Sequence, residues 1–117
     1  MKRWFELRRS VGLWAFMIHR FSGVGLVVYL YLHLAVLNQL RGGPEGWDEF
    51  IALARSPLFL ALDVILLGGL LIHGLNGLRL TLLGLGRGLR WQKVLFWASL
   101  IVTILLTAWG ALAMLGQ

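Results

Sequence analysis

One histidine stands in the middle of a long apolar run: His73, within Leu71–Arg79, L-I-H-G-L-N-G-L-R. Gly69 and Gly77 lie four residues to either side, on the same face of a helix. Neutral imidazole is an axial ligand for haem iron, and glycines above and below it clear room for a flat macrocycle. The same pattern also serves a hydrogen-bonded structural histidine or close helix packing through small residues. The spacing alone does not choose among these. Arg79 lies about 9 Å further along the axis, where its guanidinium fork suits a haem propionate or snorkels to headgroups. A second group is His19-Arg20, followed by Ser22, Gly23 and Gly25. An imidazole and a guanidinium at a membrane boundary can serve the carbonyls and protons of a quinone. Arg20 also suits a propionate, and the pair equally reads as interfacial cations. His33 is about 21 Å beyond His19 and within roughly 40° of the same face. It is either the ligand of a second haem or a cap at the interface.

The elements that must hold these groups are membrane helices. Of 117 residues 59% are hydrophobic and 14% charged, with a mean hydropathy of +0.80. The pattern predicts an all-α integral membrane protein forming one domain, with three spans at about 13–40, 57–85 and 92–115. Residues 1–12 form a basic arm that lacks the cleavage pattern of a signal peptide. Gly42-Gly43-Pro44 breaks the first span, and residues 41–56 hold an amphipathic turn or two on the membrane surface. Ser56-Pro57 reads as the N-cap and first residue of the second span. Asp63, near the start of that span, faces water or a partner. Ser99, Thr103 and Thr107 repeat every four residues on the third span, a narrow polar stripe suited to helix packing.

Charge sets the expected orientation. The N-terminal arm carries Lys2, Arg3, Arg8 and Arg9 against Glu6, and the second connection carries Arg87, Arg90 and Lys93 with no acid. The first connection has only Arg41 and Arg55, beside Glu45, Asp48 and Glu49. Basic loops stay inside, so the N-terminus is expected in the cytoplasm and the C-terminus outside. The net charge of +6 is explained by these flanks rather than by nucleic acid, for which there is no soluble basic surface. The absence of cysteine excludes disulfides, thiolate metal sites, Cys-ligated iron–sulfur clusters and covalently attached haem.

Two motifs carry a family resemblance: His19-Arg20-Phe21-Ser22-Gly23 at the start of the first span, and His73-x3-Gly77-Leu78-Arg79 in the second. Pro44-Glu45-Gly46 before an aromatic residue lies between them. Together with three spans in this order, they resemble the cytochrome b membrane-anchor subunit of succinate dehydrogenase, respiratory complex II, over nearly the whole chain. The resemblance implies half of a heterodimeric anchor bundle in a bacterial inner membrane. A second membrane-anchor subunit would complete it, and the two would hold an iron–sulfur subunit and a flavoprotein subunit at the cytoplasmic face.

It further implies haem b with His73 as one axial ligand, the other ligand coming from the sister anchor. His19, Arg20 and Ser22 would lie near the quinone and a propionate, where electrons from succinate oxidation reach the membrane quinone pool. The chain alone would not be catalytic. Three positions depart from some relatives: Phe16 where a quinone-contacting serine stands, Leu80 where a second histidine stands, and Gly84 where an aspartate stands. The quinone, menaquinone or ubiquinone, and the haem number stay open. Two alternatives remain: a haem-free anchor of a fumarate reductase, and a small non-redox transport or assembly subunit.

Overall fold

The computed structural model describes residues 10–116, so most of the expected N-terminal arm lies outside the described residues. The chain folds into four α-helices, with no strand among the described residues. They are α1 (Val11–Leu37), α2 (Gly43–Ala54), α3 (Pro57–Gly84) and α4 (Gln92–Leu115). Helices α1, α3 and α4 are long and apolar enough to cross a membrane. At 28 residues α3 is about 42 Å long, more than a hydrocarbon core needs.

Local chemistry sets the boundaries. Ser10 caps α1, its hydroxyl oxygen accepting from the Leu13 N–H at 3.2 Å. Helix α1 ends at Leu37, a few residues earlier than expected, and tightens into a 3₁₀ turn over Asn38–Gly42. Gly43 then turns the chain with φ of +76°, a left-handed value that favours glycine. The expected turn or two of surface helix is in fact a 12-residue helix, α2. Pro44 in its first turn and Glu45 at the positive end of its dipole favour the start, and after Gly46 no glycine or proline follows until Pro57. Gly46 is buried against the Gln39 carbonyl, where any Cβ would collide. This close approach folds α2 back onto the 3₁₀ turn. Ser56 occupies the N-cap position of α3, with Pro57 first in the helix, but its hydroxyl donates backwards to the Leu53 carbonyl at 2.7 Å.

Helix α3 is the centre of the molecule. It packs along α1 on one side and α4 on the other, while α1 and α4 barely meet. The resulting body measures 60 × 29 × 27 Å. Its seams are built from small and polar groups, as suits helices whose surroundings are themselves apolar. Gly68 lies against Thr107, and Gly110 against Leu67. Thr103 is buried, so the polar stripe of α4 turns toward its neighbour, as helix packing requires. The large apolar side chains point outward instead: Phe21, Tyr31, Ile65, Leu105 and Leu112 are all exposed. Trp14 and Trp91 lie near one end of the bundle and Trp47 and Trp109 near the other, all exposed, the arrangement of interfacial aromatic belts.

Candidate functional site

The α1–α3 seam brings the two histidine motifs together. On α1, residues 15, 19, 22 and 23 share a face; on α3, residues 73, 76 and 77 do. His73 enters this seam and its Nδ1 lies 3.1 Å from the His19 carbonyl oxygen and 3.1 Å from Ser22 Oγ. A carbonyl only accepts, so Nδ1 carries the proton and Nε2 keeps its lone pair. Ser22 agrees with this assignment: its hydroxyl donates to the same His19 carbonyl at 3.0 Å, leaving Oγ free to accept from Nδ1. Nε2 of His73 has no hydrogen-bond partner among the described residues. A metal-binding histidine is typically held in this way, with its other ring N–H given to a carbonyl.

The His19 ring lies flat on the His73 ring, with centroids 4.1 Å apart and planes 4° from parallel. Two glycines make this possible. A Cβ on Gly23 would come within 3.0 Å of His73 Cε1, and one on Gly77 within 3.2 Å of His19 Cε1. The glycines flanking His73 therefore differ in use: the space above Gly77 is filled by His19, whereas Gly69 faces open space. Gly69 and Ser22 also line the near end of a cleft of about 580 Å³ between α1, α2 and α3. Tyr29, His33, Phe50 and Asp63 line its far end. That size is ordinary for a cofactor or small-molecule site. His33 is exposed and stacks on Tyr29 at 5.7 Å, well apart from the His19–His73 pair in sequence and on a different stretch of α1.

Arg20 is exposed on α1, while Arg79 is buried with 3% of its surface accessible. Arg79 donates from Nε to the Gln92 carbonyl at 3.1 Å and from Nη1 to Asn76 Oδ1 at 3.3 Å, and its guanidinium lies 5.9 Å from the Phe96 ring centre. Asn76 in turn donates from Nδ2 to the Ala15 carbonyl at 2.8 Å. This chain of contacts ties α1, α3 and the start of α4 together one turn from the histidines. Sequence reasoning passed over Asn76, although an amide three residues from both His73 and Arg79 in an apolar helix was a readable signal. Gly23 is legible in the sequence as a small residue that admits a close neighbour, but not that the neighbour is the His73 ring.

The sequence pattern of the succinate dehydrogenase/fumarate reductase transmembrane subunit family matches residues 2–113. The chain belongs to this family. It is similar to the succinate dehydrogenase hydrophobic membrane anchor subunit of Halobacterium salinarum, with 38% identity over 102 residues, covering 86% of this chain and 77% of the relative. It is also similar to the succinate dehydrogenase 2 membrane subunit SdhC of Mycobacterium tuberculosis, with 29% identity over 100 residues, covering 85% and 74%. The two motifs that the anchor's seam joins thus lie inside the region that defines the family. As a membrane anchor of this kind, the chain works as one subunit of a larger complex.

Proposed function

We propose that this anchor binds haem b through His73 and helps pass electrons from succinate oxidation to quinone. The observation that carries the reading is the state of the His73 ring: Nδ1–H is held by the His19 carbonyl and Ser22, and Nε2 is left with its lone pair and no partner. The residues present suit the group. Ser22, which touches the ring, lines the adjoining cleft together with the open Gly69.

In this proposal a second anchor subunit supplies the other axial ligand, and α1 and α3 present His73 to it. When bound, haem iron would supply a one-electron step between the iron–sulfur subunit and quinone. The chain's own residues then do three things. The His19 carbonyl and Ser22 fix the tautomer of His73. Gly69 keeps its side clear. Arg20, exposed on α1, is left to meet a propionate or a quinone carbonyl at the cytoplasmic side. Flavoprotein and iron–sulfur subunits would dock on that side, in a prokaryotic cytoplasmic membrane.

The test is a redox-titrated optical spectrum of the assembled complex. A b-type reduced band that disappears in His73→Ala, with the flavoprotein still attached, is the expected result. An unchanged band in His73→Ala would remove the ligand assignment. A wild-type complex with flavin but no haem band would favour the second reading, a haem-free anchor in which the stacked rings serve packing alone. That alternative draws on the same stacking at 4.1 Å.

A further inference from the structure

We infer that His19 is a positioning residue for the axial ligand: the face of its ring sets the plane in which His73 meets iron. The inference rests on the haem reading of His73 and adds to it the device that fixes the ligand's rotation. Hydrogen bonds from Nδ1 to the His19 carbonyl and Ser22 fix which nitrogen points outward, but they leave the ring free to rock about the bonded edge. The His19 ring closes off that motion, lying 4.1 Å away and 4° from parallel. The Gly23 backbone meets the same ring at Cε1, so closely that a Cβ there would approach to 3.0 Å. His19 is itself held, with Cε1 over Gly77 and Nδ1 buried with no hydrogen-bond partner. An imidazole whose Nδ1 is sealed off in this way contributes through its shape and flat face. Each ring thus has its Cε1 against a glycine of the opposite helix and the other ring against its face.

The angle between the two axial ring planes governs the g-anisotropy of a low-spin ferric haem, so the clamp has a spectroscopic signature that packing alone lacks. The experiment uses the whole complex and compares wild type, His19→Ala and His19→Phe by frozen-solution EPR, with haem-to-flavin ratio and midpoint potential measured on the same samples. His19→Ala is expected to shift and broaden the line of largest g value as the His73 ring samples several planes. His19→Phe, which restores a flat face, is expected to return a single line close to the wild-type position. If His19→Ala costs haem or assembly, recovery of both in His19→Phe supports the same role. Wild-type g values and potential in His19→Ala would overturn it, as would a His19→Phe complex no nearer wild type than His19→Ala. A change confined to the KM for quinone would also overturn it. Failure of the haem reading itself would show earlier and separately, as a wild-type complex without any haem signal.

Discussion

At the scale of single residues the site is defined by what glycine omits. A methyl group at position 23 would press on His73 at 3.0 Å, while one at position 74, next to His73 in the chain, would meet nothing. Gly23→Ala is therefore expected to lower the haem-to-flavin ratio of the purified complex, and Gly74→Ala to leave it unchanged; equal ratios in both would contradict the close approach of α1 to the His73 ring. Asn76 acts on stability instead. Its amide bridges α1 to Arg79, and interhelical hydrogen bonds in membranes are worth about 0.6 kcal/mol on average. Asn76→Ala also strips the buried guanidinium of its only side-chain oxygen among the described residues. A loss of roughly 1–3 kcal/mol follows from leaving its Nη1 without that acceptor. It would be read as a lower thermal midpoint of the complex in detergent, with the wavelength of the haem band unmoved. The sequence marked His73, His19 and Ser22 by type and spacing, but it did not reveal that Arg79 is turned into a seam. Whether an arginine at a helix end snorkels or is buried depends on the neighbour it meets, here Phe96 and the Gln92 carbonyl.

At the scale of elements, two helix contacts differ in what they can yield. Gly46 meets a backbone carbonyl, which is fixed by the 3₁₀ turn that carries it, whereas Gly110 meets the tip of the Leu67 side chain, which can rotate. Gly46→Ala is expected to lower the thermal midpoint more than Gly110→Ala, and the reverse order would show that α2 is not seated on the turn as described. The three long helices were legible because an apolar run of this length has few other fates. The surface helix was foreseen only as a turn or two. Its 12 residues are amphipathic, but so short a helix is marginal by itself and gains its full length by docking against the turn.

At the scale of the molecule, α3 is sandwiched while α1 and α4 each keep an outward face of large apolar side chains. The expected orientation in the membrane rests on the basic flanks rather than on any helix contact. The chain has no cysteine, which gives a clean test by single substitutions. A membrane-impermeant thiol reagent is expected to label Glu45→Cys in intact cells and Arg90→Cys only after permeabilisation. The opposite pattern would reverse the expected topology and move the proposed quinone side with it.

By itself the sequence determined the solvent and the architecture: hydropathy required three spans, the break at Gly42-Gly43-Pro44 ended the first, and the motif residues singled out His19, Ser22 and His73. These are properties of length, charge and local backbone freedom, and they are written in short stretches of chain. Tertiary structure alone decided which nitrogen of His73 is protonated, since the deciding carbonyl belongs to a residue 54 positions away. It also decided that Gly77 serves His19 while Gly69 stays open. The sequence makes those two glycines equivalent about His73, and only the packing of α1 against α3 tells them apart.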